Sequence, residues 1–259
     1  MVRPSPGGTQ SIRRAVTLLR EIAVKAPGGG WQLADLARRC GIDRTTAYRI
    51  LGCLVAEGLI TRNEDGRRGS SYRLGPLAFE LGLAAQPELD LRPKCADAMT
   101  RLAARTGDTV FLNVRSGYDS VCLDRREGPY PVRALTVEIG ARRPLCASAG
   151  GLAVLMLLPE TERRSIVKEN AQRLAATTGV SLRTLNLMLE ESIASGYGLN
   201  NRRVIPGVIA LGVAVRNARG EPVAALSIAA IGERLGTVRR KEIATLLREA
   251  VAQVGKKLG

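Results

Sequence analysis

Residues 33–50 read LADLARRCGIDRTTAYRI, and the spacing of their small, glycine and apolar residues leaves few folds open. Counted from Leu33, the fifth position is Ala37, the ninth is Gly41, and two later apolar positions are Ala47 and Ile50. Two helices that cross closely need a small residue where they touch. The turn between them needs positive φ, which glycine adopts without strain. Leu36, Cys40 and Ile42 fill the other inward slots. The pattern predicts a helix-turn-helix: a helix over 33–40, a turn at Gly41, and a second helix from Arg44 with Asp43 as its N-cap.

The flanks extend this unit. The first ten residues, MVRPSPGGTQ, are rich in Pro and Gly and predict a disordered start. Ser11 is a candidate cap for a helix over 12–24, with Ile12, Val16, Leu19 and Ala23 as its inner face. After Gly58 come two short predicted strands, 59–63 and 71–74, around a basic tip, EDGRRG, whose Asp65-Gly66 pair suits a hairpin. A helix, a helix-turn-helix and a basic-tipped hairpin make a winged helix over 11–75. A linker helix is expected within 76–90, interrupted at Pro87.

The second helix has a face that the core does not use. Thr45, Tyr48, Arg49 and Gly52 recur at helical spacing opposite the apolar stripe, and Arg44 and Thr46 stand in its first turn. In a helix-turn-helix those N-terminal residues enter the DNA major groove, where Arg pairs with guanine and Thr meets a phosphate or a thymine methyl. Arg67 and Arg68 at the wing tip, Arg73 behind it, and Arg13 and Arg14 on the first helix are candidates for the phosphate backbone. Residues 1–75 carry 13 Lys/Arg against 6 Asp/Glu, in a chain of net charge +15. That is more than twice the positive charge density of the remainder, and it favours an anionic partner. A basic protein that coats DNA without sequence preference is the rival reading.

Residues 91–259 read as a separate α+β domain. A helix over 91–106 precedes strands at 109–114, 121–127 and 132–137. Helices then open at Ser148 and span 160–170 and 181–195. Two strands, VIALGVAVRN and PVAALSIAAI, flank the turn Ala218-Arg219-Gly220, and a last helix covers 237–257. One sheet of five or six strands with helices packed on it is expected.

Several function classes drop out. The chain has no histidine, which removes Ser-His-Asp and Cys-His nucleophilic sites and every imidazole metal site. The five cysteines show no CxxC spacing and sit among apolar neighbours, so they read as reduced small hydrophobes. No GxSxG or phosphate-binding loop occurs. No catalytic residue, metal or cofactor is therefore expected. The most apolar stretch, GGLAVLMLLP at 150–159, is about half the ~20 residues of a membrane span, and no secretion signal is evident. A cytoplasmic protein with no membrane partner is expected.

In order along the chain, SIRRAVTLLREIA, LADLARRCGIDRTTAYRILGCLVAEGLITR and YRLG resemble the DNA-binding half of IclR-family transcriptional regulators. VCLDRREGPYPVRALTVEIGARRPLCASAGG, SGYGLNNRRVIPGV and EPVAALSIAA resemble the family's effector domain. The resemblance implies a winged helix, a linker helix and a GAF-like effector domain with a mainly antiparallel sheet. It implies a dimer or tetramer on a double-stranded operator, repressing or activating transcription, with a small organic or aromatic acid as effector.

By that resemblance, Ala149 and Gly150 match positions that hold a carboxylate through their backbone. Small residues opening a helix suit that role, although Ser148 as a plain helix cap accounts for the same stretch. Asn200 matches a ligand-contacting position that is usually acidic. Ala210 matches one often occupied by Cys, and Ser227 and Ala229 match two polar contacts on one strand. The chain departs from the family where Cys146 and Leu152 replace a usual His and Lys. A pocket so altered is expected to take a larger or less polar ligand than a two- or three-carbon keto acid, or to have lost its ligand.

Overall fold

The computed structural model describes residues 9–23, 30–65, 69–84 and 91–258, which divide into two compact units, Met1–Leu89 and Asp90–Gly259. Of the ten residues expected to be disordered, Gln10 instead opens a helix, and residues 1–8 lie outside the described residues, as do the wing-tip residues Arg67 and Arg68.

In the first unit, α1 (Gln10–Ile22) packs on α2 (Leu33–Cys40) and α3 (Arg44–Ala56). A three-stranded antiparallel sheet of β1 (Trp31–Gln32), β2 (Ile60–Asp65) and β3 (Gly69–Leu74), in the order β1-β3-β2, closes the side. The helix α4 (Pro76–Ala84) follows. Leu18, Leu36, Leu51 and Ile60 are fully buried, each contributing about 1.5–3 kcal/mol of apolar transfer. Ala37 and Ala47 are buried where α2 and α3 meet. Gly41 stands at φ +62° as the residue that ends α2, and its N–H donates to the Arg38 carbonyl. Asp43 accepts from the Thr46 N–H at 2.8 Å, capping α3 as its spacing predicts.

Two expectations for α1 fail. The helix starts at Gln10, so Ser11 lies inside its first turn and is not the cap. Its inner face is Ala15, Leu18, Leu19 and Ile22, while Ile12, Val16 and Ala23 are exposed. The helix carries two overlapping apolar stripes, and docking on α2 and α3 selects the one through Leu18 and Ile22.

In the second unit, α5 (Leu91–Thr106) leads into β4 (Thr109–Ser116) and β5 (Asp119–Arg126). A short edge strand β6 (Arg142–Pro144) and a tight 3-10 turn (Leu145–Ala147) precede α6 (Ala149–Leu155), α7 (Glu160–Thr178) and α8 (Leu182–Ser195). Then come β7 (Gly198–Asn201), β8 (Val208–Arg216), β9 (Pro222–Ile231) and α9 (Thr237–Lys256). All six strands pair antiparallel in the order β6-β5-β4-β9-β8-β7.

Alternation along the strands divides the sheet into two faces. Val110, Leu112, Leu226 and Ile228 pack with α5 and α9 in the largest core. Phe111, Asn113, Ser227 and Ala229 point to the opposite face, beside α6. There α7 and α8 add a further layer around Ile166, Leu185 and Met188. Asp108, at the start of β4, is held by Arg234 Nε at 2.8 Å and Arg239 Nη2 at 3.0 Å, which pins the sheet to the α9 side.

The strand expected at 132–137 does not form; that segment is irregular, and β6 takes the edge beside β5 instead. Its alternating apolar pattern has another use: Ala134 is buried against Phe111 and Cys122, and Thr136 and Val137 face the same space as Ala229. Arg125 Nη1 donates to the Val137 carbonyl at 3.2 Å, and Arg143 Nη2 donates to the Thr136 carbonyl.

Candidate functional site

Two surfaces carry chemistry, one in each unit. On the first, capping by Asp43 and the Gly41 turn set the N-terminus of α3 outward. Arg44, Thr45, Tyr48, Arg49 and Gly52 are all exposed, while Ala47, Leu51 and Leu54 of the same helix are buried. Thr46 is half-buried, its N–H donates to the cap, and it lines the groove between α1 and α3. The hydrogen bonds from Thr46, with Arg14 nearby, hold the Asp43 carboxyl below the usual carboxylate range, so the cap is fully charged at neutral pH.

Arg14 and Arg49 line a groove of about 500 Å³ between α1 and α3, together with Ser11, Thr46 and Cys53. Arg13 is exposed on α1 and Arg73 on β3. The structure thus gathers Arg14, Arg44, Thr45, Thr46, Tyr48 and Arg49 along one helix and its neighbour. The exposed Cys53 corrects the reading of every cysteine as a packed hydrophobe; it faces this groove.

On the second surface, a cavity of about 40 Å³ opens over the sheet face that bears Asn113 and Ser227. Its floor is Phe111 and Asn113 from β4, Val208 and Ala210 from β8, and Ser227 and Ala229 from β9. The walls are Thr136 and Val137, Ile205, the 147–149 turn, Asn200 from β7 and Arg143 from β6. β6 and β7 are the opposite edges of the sheet, so the cavity draws on its full width.

The approach of α6 to the sheet explains how the turn reaches the cavity. A Cβ on Gly198 would lie 2.0 Å from the Ala149 carbonyl oxygen, and one on Gly212 2.6 Å from it. Only glycine admits the helix start so close. Ser148 Oγ accepts from the Gly151 N–H at 3.0 Å, so the capping role is realised. Asn113 Nδ2 donates to Ser227 Oγ at 3.2 Å, and Asn200 Nδ2 donates to the Ala147 carbonyl at 3.3 Å.

Of the residues marked through the resemblance, Ala149, Asn200, Ala210, Ser227 and Ala229 all line the cavity. Gly150 does not. It lies behind the lining, where a Cβ would come 2.8 Å from Asn113 Nδ2. The expectation of room for a larger ligand is not met, although Ala210 and Ala229 are small. Phe111, Val137 and Ile205 border the same space and keep it to about 40 Å³.

Asn113, Arg143, Thr136, Val137 and Ile205 were missed from sequence. Asn113 had a signal, since strand alternation puts it on one face with Phe111. Arg143 had none. Cys122 and Cys146 are buried beside the cavity, and burial pushes their thiols up to about 11 and about 12, so neither is a nucleophile at neutral pH.

These two surfaces coincide with two recognised family regions. Residues 11–64 match the IclR helix-turn-helix domain, and residues 84–256 match the bacterial transcriptional regulator IclR C-terminal domain. The chain is 30% identical over 253 residues to the HTH-type transcriptional repressor AllR of Klebsiella pneumoniae, covering 97% of this chain and 91% of that one. The IclR-family regulator of Brucella abortus shares its fold with a TM-score of 0.73 at 23% identity, over 96% of this chain and 92% of that one. An IclR homologue from Microbacterium hydrocarbonoxydans, solved with 4-hydroxybenzoate, aligns with a TM-score of 0.71 at 23% identity, over 96% and 99% of the two chains. The chain belongs to the IclR family of helix-turn-helix transcriptional regulators.

Proposed function

We infer that the chain is a cytoplasmic repressor that seats α3 in the major groove of an operator as a symmetric dimer or tetramer. A small organic acid in the cavity over β4, β8 and β9 changes its hold on that operator. The observation that carries the DNA reading is the outward face of α3: Arg44, Thr45, Tyr48 and Arg49 exposed together on a helix locked at its start by Asp43. In this reading Arg44 and Arg49 meet base edges, while Arg13, Arg14, Arg67, Arg68 and Arg73 meet phosphates. Two copies are needed because one module rarely supplies enough specificity. Repression follows the AllR relatives.

The cavity supports the effector reading because Ala149, Asn200, Ala210, Ser227 and Ala229 converge on it from four separate elements. An effector acts only by binding two states of the protein with different affinity. The closed cavity is too small for an aromatic ring, so an aromatic acid requires the 132–139 segment to move aside. The test is footprinting on the chain's own upstream region, with and without small acids. The expected result is a protected, two-fold symmetric site whose occupancy an acid alters and whose affinity falls steeply with salt.

The net charge of +15 favours a second reading, non-specific coating of DNA. It predicts uniform protection and no effect of any acid.

A further inference from the structure

Taking the cavity as the effector site, two of its side chains are left with unmet demands of opposite kind. Arg143 reaches it from β6 with its side chain partly buried. Its one hydrogen bond among the described residues goes to a neutral acceptor, the Thr136 carbonyl, and no carboxylate among them pairs with it. The adjacent Arg142 is treated differently: its Nε pairs with Asp119 at 3.2 Å. A guanidinium carries five donors and stays charged, so a desolvated one with a single carbonyl partner favours an anion beside it. Burial also pulls the Arg143 pKa down from its ordinary value, as expected for a cation short of counter-charge.

Asn200 presents the reverse case. Its side chain lies at 7% exposure on β7, and its amide nitrogen donates to the Ala147 carbonyl. Its Oδ1 is buried and accepts from nothing. A buried acceptor without a donor costs about 1–3 kcal/mol, and a flipped amide would only set oxygen against the Ala147 oxygen. The other two polar side chains of the floor, Asn113 and Ser227, already bond each other.

We propose that the effector of this chain carries an anionic group and a separate hydrogen-bond donor, the first held by the Arg143 guanidinium and the second by the Asn200 side-chain oxygen. The cavity's size restricts the class to small hydroxy or amide carboxylic acids of a few heavy atoms. Asn200 is uncharged, so it accepts from a neutral donor without repelling the anion.

The probes are matched in size: lactate with both groups, propionate without the donor, and lactamide without the charge. Binding to the full-length protein is read by calorimetry. Lactate is expected to bind about tenfold tighter than propionate, the equivalent of one buried hydrogen bond, and lactamide to bind weakest. Asn200→Leu removes the preference for lactate over propionate while retaining anion binding. Arg143→Gln removes the preference for lactate over lactamide. Propionate binding as tightly as lactate, or lactate binding unchanged in Arg143→Gln, overturns the proposal and leaves the cavity as the effector site. Lactate binding that survives Ala210→Phe, which fills the cavity, overturns the effector-site reading itself, as does no binding by any of the three. Melting temperatures of the variants near that of the unaltered chain show that lost binding is not lost folding.

Discussion

Asn113 on β4 and Ser227 on β9 stand diagonally across the ladder, where Ser227 pairs with Phe111 and Asn113 with Ala225, and the Asn113 amide donates to Ser227 Oγ at 3.2 Å at the floor of the cavity. Both are buried, and on the floor of the cavity they stand among Phe111, Ala210 and Ala229. Ser227→Leu breaks that bond and fills the space above it. The expected outcome is loss of any acid's effect on operator binding, with DNA affinity in the absence of acid within about twofold of the unaltered chain. Gel shifts with and without the acid measure both. A destabilisation of about 1–3 kcal/mol accompanies it, from the unpaired Asn113 amide.

Gly41 ends α2 at φ +62° and sets the angle at which α3 leaves. Gly41→Val forces a β-branched side chain into the left-handed region, which costs about 1–2 kcal/mol or more. The space around that position is open, so the effect is conformational and not steric. Urea unfolding is expected to show the loss of stability, and operator affinity to drop with it. Gly41→Asn, which tolerates positive φ, is expected to recover much of both.

The thiols give a labelling order. Cys53 is exposed, Cys40 is half-buried with its pKa raised by burial, and Cys95, Cys122 and Cys146 are buried with pKa values of about 11, about 11 and about 12. Native protein at pH 8 is expected to release one fast equivalent with a thiol reagent, from Cys53, and the buried three only on unfolding. Cys53→Ser removes the fast phase.

The same burial sets an alkaline limit. Above about pH 9 the unfolded chain gives up thiol protons that the folded chain keeps, so the folded state binds more protons and stability falls as pH rises. The loss runs on until the folded thiols titrate, near pH 11–12. Denaturation midpoints between pH 8 and pH 10.5 are expected to fall, and less so in Cys146→Ala.

Asp108 is almost completely buried between Arg234 and Arg239. Asp108→Ala leaves two arginines facing an empty site, and a loss of about 3–5 kcal/mol is expected. Thermal melting of the second unit reports it.

The winged helix was legible because its constraints are local. Ala37, Gly41, Asp43 and Ala47 each meet a demand set by residues a few positions away. The α1 stripe was misread for the opposite reason: two apolar stripes fit the same period, and only the partners α2 and α3 decide between them. The 132–137 segment alternates like a strand, yet its inward residues cover the cavity while β6, three residues long, takes the sheet edge. Strands as short as β6 and β7 carry too little pattern to be seen. Arg143 is one of many arginines in the sequence. Its place in the cavity depends on where β6 docks, which no neighbouring residue announces.

The central claim is that α3 reads sequence, and Arg44→Ala tests it most directly. Fluorescence anisotropy on the footprinted operator and on a scrambled duplex of the same length, at one salt concentration, compares the two affinities. The account predicts a loss of about 1–3 kcal/mol on the operator and a much smaller loss on the scrambled duplex, with specificity reduced at one base position per half-site. An equal loss on both duplexes contradicts it, because Arg44 would then be touching only phosphates.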